Sequence, residues 1–207
     1  MKLLLIRHGE SIGNTEGRLQ GQFDSPLSDR GREQARALAG RLLREGHAIA
    51  AIYASDLSRA AETAEILAAG LAVPVVLDAR LREYHIGLLT GVVWREVEFL
   101  YPELWHQIHQ ADAWVPVPGE EGNEAFHARL AAALAGIQAR HEEGDTVAVL
   151  AHGGSLGMLL AQLLGMDPRR PLPFRFGNAS LSVVEVIRKR LRLTLMNDTC
   201  HLDGGLG

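Results

Sequence analysis

The sequence predicts an α/β fold of three layers, with a mostly parallel central sheet between two layers of helices. Short apolar runs recur at residues 3–6, 49–54, 73–77 and 146–151, and each alternates with a segment whose apolar residues fall at helical spacing. A run that is apolar throughout belongs to a strand buried on both faces, which is what helices on either side of a parallel sheet produce. Length supports the same reading: 207 residues, 47% of them hydrophobic, suffice for a substantial core within one domain spanning 1–207.

The elements follow in order. The first run ends abruptly in Arg7-His8-Gly9-Glu10-Ser11, at a strand's C-terminal end, where open α/β sheets bind their ligands. Ser28 is a suitable N-cap for a helix through Gln34, Ala35, Leu38, Leu42 and Leu43, with Gly46 as its stop. An alanine-rich helix over about 57–69 follows the second run and ends near Gly70. Residues 90–118 hold all three tryptophans with Phe99 and Tyr101, bounded by Gly91 and by Pro116, Pro118 and Gly119. They form a helical excursion from the sheet's rhythm, at about 90–120, of a kind that commonly covers an active site, with the aromatic residues as its core. A long amphipathic helix over 121–141 leads into the run at 146–151, and segments 181–188 and 191–196 alternate around a charged turn as a hairpin added to the sheet.

Composition excludes several functions. The net charge is −4, and the 21 Lys and Arg are spread along the chain rather than gathered in a stripe, so nucleic acid is not an expected partner. The single cysteine, Cys200, rules out an internal disulfide and a multi-cysteine metal site, and suits a reducing cytosol. Arg7 and His8 interrupt the first apolar run too early for a signal peptide, and no later run is long enough to cross a bilayer. The expectation is a soluble, cytoplasmic protein with no membrane partner.

Three segments place ionisable residues at strand ends: Arg7-His8-Gly9, Ser55 to Ala64 with Arg59, and Ala151-His152-Gly153-Gly154. Strand ends of a parallel sheet converge in space, so Arg7, His8, Arg59 and His152 can line one pocket. Two arginines and two histidines together describe a phosphate site. Each arginine offers a planar fork of donors, and helices starting near Arg59 and Gly153 are expected to add the positive potential of their N-termini. His106 and His109 share an i, i+3 spacing, but no Asp, Glu or Cys completes a metal site, and no metal is expected.

Arg7-His8-Gly9 with Asn14 is followed by Asp24-Ser25-Pro26-Leu27-Ser28 with Gly31 and Gln34-Ala35. Then come Ser55 with Arg59-Ala60 and Thr63-Ala64, Leu81-Arg82-Glu83 with Gly87 and Gly91, and His152-Gly153-Gly154. In this order and spacing the set resembles the histidine phosphatase superfamily, also called phosphoglycerate mutase-like, over essentially the whole chain. Asn178 and Ser180, and the closing Asn197-Asp198-Thr199 with His201-Leu202, are similar to endings in its phosphatase branch.

The resemblance implies a phosphoglycerate mutase-like fold and a phosphohistidine intermediate on His8. Arg7, Arg59 and His152 would grip the phosphoryl oxygens, with Asn14 a further donor, and Glu83 would be the general acid. Gln20, Gly21 and Gly153 fall at substrate-contacting positions. Neither a metal nor a cofactor is called for. The mutase branch carries an arginine-rich insertion after the general-acid segment, whereas residues 92–118 here contain one arginine, Arg95, and no lysine. A phosphatase acting on a small organic phosphomonoester is therefore expected. The alternatives are a 2,3-bisphosphoglycerate-dependent phosphoglycerate mutase or a non-catalytic phosphate-binding module. Oligomeric state is left open, a homodimer included.

Overall fold

The protein is described from a computed structural model covering residues 1–111, 115–167, 173–187 and 190–202. Six strands form one sheet: β1 (Lys2–Arg7), β2 (Ile49–Ala54), β3 (Val75–Leu77), β4 (Thr146–Ala151), β5 (Leu181–Ile187) and β6 (Arg190–Asp198). Their spatial order is β3-β2-β4-β1-β5-β6. β3, β2, β4 and β1 run parallel, while β5 lies antiparallel beside β1 and β6 beside β5. The expected terminal hairpin is thus present, and residues 188–189 of its charged turn lie outside the described residues.

The alternation of side chains along a strand explains why the first run is apolar without interruption. Leu3 and Leu5 enter one cluster with Tyr53, Val147, Val149 and Leu160, and Leu4 and Ile6 enter the other with Leu38, Leu42, Ile52 and Leu150. Burying each such side chain contributes about 1.5–3 kcal/mol, so β1 anchors both cores at once.

Helices cover both faces. After the short α1 (Ile12–Thr15), α2 (Asp29–Arg44) and α3 (Ser58–Leu71) pack on one side. The hydroxyl of Ser28 caps α2 by accepting from the Gly31 amide at 3.0 Å. α3 continues through Gly70, the expected stop, and ends at Ala72 in the left-handed region with φ 56°. Gly70 serves the packing instead, because a Cβ there would lie 3.2 Å from that of Ala39. The third strand is shorter than its apolar run and starts after Pro74, whose carbonyl accepts from Ile52 at 2.9 Å.

The 90–120 segment is helical, with α4 (Val97–Leu100) and α5 (Pro102–Gln110). Its small core consists of Leu89, Val97 and Val117 with Leu19, Tyr101, Leu104 and Trp105 against them. The aromatic-core expectation is corrected at Phe99, which is 87% exposed, and at the half-exposed Trp94; Trp114 lies outside the described residues. The segment docks on the loop after α1, through Leu19 N–H to Val92 O at 2.8 Å and Gly91 N–H to Leu19 O at 2.8 Å.

On the other face lie α6 (Asn123–Gln138) and α7 (Gly153–Leu163). α6 is shorter than the expected 121–141 because Glu121 is drawn toward Arg129 and the His85 amide. Among the described residues no helix is long and apolar enough to cross a membrane.

Candidate active site

The register of the parallel strands builds the floor of the site. Arg7 pairs with Ala151 and Ala54 with Leu150, so the residues that follow, His8, His152 and Ser55, stand side by side. The ladder runs one step further, through His8 N–H to Ala151 O at 3.1 Å and Ser55 N–H to Leu150 O at 3.0 Å. Because β4 lies between β1 and β2, His152 lies between its neighbours. Its ring centroid is 5.1 Å from that of His8, and its Nε2 is 2.9 Å from Ser55 Oγ. Ser55 had no role assigned from sequence, although it follows its apolar run just as the two histidines follow theirs.

His8 is buried, and its Nδ1 lies 2.6 Å from the Gly9 carbonyl. A carbonyl only accepts, so Nδ1 carries the proton and Nε2 the lone pair. Burial, reinforced by the Arg7 and Arg59 guanidinium groups, holds the His8 pKa well below 6.5. His152 is held well below 6.5 in the same way, by burial first and then by Arg59, His8 and Arg7. Both imidazoles are therefore neutral at neutral pH, and His8 has the form a nitrogen nucleophile requires.

The arginines are tied down by their outer nitrogens. Arg59 Nη1 donates to the Phe23 carbonyl and Nη2 to the Gly21 carbonyl, each at 2.8 Å, and Arg7 Nη1 donates to the Phe176 carbonyl at 2.5 Å. Among the described residues, Nε of Arg7, Nε of Arg59 and Nδ1 of His152 are buried without a hydrogen-bond partner. Buried donors left unpaired are costly unless a ligand meets them. Burial lowers the Arg7 guanidinium against the opposing pull of Glu83, and brings that of Arg59 down to about 10, so both remain cations at neutral pH. Two cations with two buried, unpaired N–H groups, an unpaired His152 ring nitrogen and one imidazole lone pair match the oxygens and phosphorus of a phosphoryl group.

Asn14 lies at the edge of this group. Its Oδ1 accepts from the Ser11 amide at 3.1 Å and from Asn178 Nδ2 at 3.2 Å, which leaves its own amide hydrogens for a ligand. Asn178 also donates to the His8 carbonyl at 3.3 Å. Gly153 opens α7 next to Arg7, whose Nε would lie 4.0 Å from a Cβ at that residue. Gly21 contributes the carbonyl that holds Arg59. Gln20, expected to contact substrate, is turned into the protein instead: its Oε1 lies 2.9 Å from Ser11 Oγ and its stem packs on Gly13.

Glu83 reaches the pocket from a stretch without regular strand or helix, between the 3₁₀ turns Ala79–Leu81 and Gly87–Leu89. Its Oε1 accepts from the Tyr84 amide at 2.8 Å and the Ser155 amide at 3.1 Å, and its Oε2 from the Gly154 amide at 2.9 Å. The carboxyl thus caps α7 from a distant part of the chain. Asp24 does the same for α3, accepting from the Ser58 amide at 2.8 Å. The two helix N-termini expected to add positive potential to the pocket thus each meet a side-chain carboxyl, through one amide of α3 and two of α7. Gly154 is required by the arrangement, since a Cβ there would stand 2.5 Å from Glu83 Oε1.

Comparison with known proteins supplies the context for this geometry. Residues 3–199 match the family model of the histidine phosphatase superfamily, branch 1. The chain is 34% identical over 205 residues to the metal-independent phosphoserine phosphatase of Arabidopsis thaliana, covering 97% of this chain and 83% of that protein. It is 35% identical over 211 residues to a "Probable phosphoglycerate mutase" of Yersinia enterocolitica, covering 98% and 95%. Among solved structures, mycobacterial glucosyl-3-phosphoglycerate phosphatase in complex with VO3 superposes with a TM-score of 0.82 at 32% identity, covering 95% of this chain and 98% of that one.

Proposed function

The chain belongs to branch 1 of the histidine phosphatase superfamily as one of its metal-independent phosphatases, and we propose that it hydrolyses small organic phosphomonoesters through a phosphohistidine on His8. The observation that carries this reading is the neutral His8 ring, with its lone pair on Nε2, set among two buried arginine N–H groups and a buried His152 ring nitrogen that no protein partner satisfies.

In this scheme Nε2 of His8 attacks phosphorus while the ester oxygen departs. Arg7, Arg59, His152 and Asn14 hold the non-bridging oxygens and the charge that spreads over them in transfer. Glu83 protonates the leaving oxygen, then takes a proton from the water that cleaves the phosphorus–nitrogen bond and restores His8. Proton transfer is assigned to Oε2, which accepts one amide hydrogen where Oε1 accepts two, so Glu83 keeps its hold on α7 through Oε1.

The ester's body is uncharged or carries little charge. Arginines on neighbouring segments are already committed to carboxylates: Arg82 to Asp56 through two bonds of 2.6 Å, Arg80 to Asp78 at 2.7 Å, and Arg18 to Glu16. With Arg95 the one cation of residues 92–118, the segment offers little grip for a second phosphate. Exposed Phe23 and Trp94 instead offer apolar surface beside the loop that holds Arg59. The segment at 90–120 covers the site within a single domain, the protein works in the cytoplasm, and a homodimer is compatible with this scheme.

A labelled substrate tests the reading. Rapidly quenched wild-type enzyme should carry phosphate that is lost in acid and stable in base, and His8→Ala should carry none; label on any other residue refutes the assignment. With 3-phosphoglycerate and catalytic 2,3-bisphosphoglycerate, inorganic phosphate should appear faster than 2-phosphoglycerate, and the reverse would make the enzyme a mutase. A panel including phosphoserine and α-ribazole phosphate would then name the ester.

A further inference from the structure

Arg129, on α6, stands outside the phosphate pocket and belongs to none of its motifs. A guanidinium has five N–H groups, and all five are used here. Nη1 donates to the Arg80 carbonyl at 2.8 Å and the Arg82 carbonyl at 2.7 Å, and Nη2 to the Glu83 carbonyl at 2.8 Å. The remaining two bind Glu121, Nε to Oε2 at 2.8 Å and Nη2 to Oε1 at 2.7 Å. Glu121 Oε1 also accepts from the His85 amide at 2.7 Å. The backbone on both sides of Glu83 is therefore fastened to one ion pair. The Phe126 ring lies 4.8 Å from the guanidinium carbon, and the arginine side chain is 19% exposed.

We propose that Arg129 is the positioning residue for Glu83, fixing the backbone from which the carboxyl reaches the leaving oxygen. Residues 80–86 lie outside the strands of the sheet, and these bonds hold them together with Gln22 Nε2 to the Glu83 carbonyl at 3.1 Å, Ser155 Oγ to the Arg82 carbonyl at 2.9 Å and the Glu121 amide to the His85 carbonyl at 3.1 Å; of these, the Arg129 guanidinium alone reaches the carbonyls of residues 80, 82 and 83 together. Lysine cannot substitute: its three N–H groups on a single nitrogen cannot reach acceptors spread along a planar fork. The floor histidines are placed by sheet register; Arg129 reaches His152 only through its charge, the last of the influences that lower that ring, and a lysine keeps that charge. Its loss should therefore impair proton delivery while leaving phosphate capture intact.

The inference rests on Glu83 as proton donor, and the experiment separates the two. kcat and KM are measured for Arg129→Lys, Glu83→Gln and the double variant, on an alkyl phosphomonoester and on p-nitrophenyl phosphate, whose leaving group needs little protonation. Glu83→Gln should lose about 100-fold or more in kcat/KM on the alkyl ester and less than about tenfold on the aryl ester, because kcat/KM reports ester cleavage alone and not the later hydrolysis of the phosphohistidine that both esters share. Arg129→Lys should lose about 10- to 100-fold on the alkyl ester with KM within about threefold, spare the aryl ester, and add nothing to the loss already present in Glu83→Gln. If Glu83→Gln is selective but Arg129→Lys damages both esters equally, or the two losses multiply, the positioning role is refuted and the proton-donor reading stands. A Glu83→Gln loss that ignores the leaving group refutes both. Should Arg129→Lys fail to fold, Glu121→Gln removes the charge that orients Arg129 with little change of shape; an alkyl-selective loss supports the proposal and an equal loss refutes it.

Discussion

His8, Ser55 and His152 each stand one residue beyond the end of a parallel strand, whereas Glu83 stands on a stretch whose carbonyls are held by a guanidinium 46 residues further along the chain. The first group shares its geometry with the sheet. To move it, strands buried on both faces would have to slip, and a one-residue slip would exchange every apolar side chain between the two cores and misfit both. The second depends on a handful of side-chain bonds. In the proposed scheme phosphate capture is thus built into the register of the sheet, and proton delivery into an arm held by side-chain bonds.

The largest expected effect strikes the floor at its most heavily used cation. Arg59→Lys keeps the charge but cannot hold the Gly21 and Phe23 carbonyls while presenting a donor to phosphate, so kcat/KM should fall about 100- to 1,000-fold. Hydrogen exchange in residues 17–23 should rise with it. A loss below about tenfold would mean that charge alone suffices and that the floor tolerates loose geometry.

Gly154→Ala probes the arm without touching the floor. The new Cβ would stand 2.5 Å from Glu83 Oε1 and 3.2 Å from its carboxyl carbon, so the carboxyl must shift. About a tenfold fall on alkyl esters is expected, with p-nitrophenyl phosphate hydrolysis retained and thermal stability unchanged or raised, alanine being the better helix former by about 1 kcal/mol. Equal loss on both esters would show that the arm and the floor are mechanically one unit.

The smallest effect appears in stability against pH. Both floor histidines have folded pKa values below the ordinary 6.5, so below that pH the unfolded chain binds protons that the folded protein refuses. Stability is then fully present above about 6.5 and falls as the pH drops toward the folded values, by on the order of 1 kcal/mol per histidine per pH unit. Urea unfolding at pH 7, 6 and 5.5 should show this slope, and His8→Gln should remove about half of it. A flat profile would mean that the floor histidines ionise in place.

The same contrast governs what the sequence discloses. Apolar runs that stop at Arg7, at Ser55 and at His152 mark strand ends by composition alone, and register does the rest. Glu83 has no such mark and was recognisable only through its family-like surroundings. Arg129 was invisible, because nothing local in an alanine-rich helix announces a bond to carbonyls 46 to 49 residues away. The carboxyls at the N-termini of α3 and α7 escaped the sequence for a related reason: amides at a helix start bind any carboxyl that the tertiary fold delivers, here Asp24 and Glu83. Gln20 went astray because Gly13 leaves room for its stem beneath α1. Phe99 shows that aromatic density in sequence does not by itself identify which rings are buried.

The sheet order also has a consequence for biosynthesis. β1 is flanked by β4 and β5, with Lys2 opposite Thr146 on one side and Glu185 on the other, and β2 waits for β4 as well. A ribosome must therefore translate well past Ala151 before β1 acquires either of its strand neighbours and His8 acquires His152. Until then Leu3 to Ile6 remain a sticky segment for chaperones to shield. The proposed site is consequently completed late and abruptly, and nascent chains interrupted before β4 carry His8 without His152 beside it.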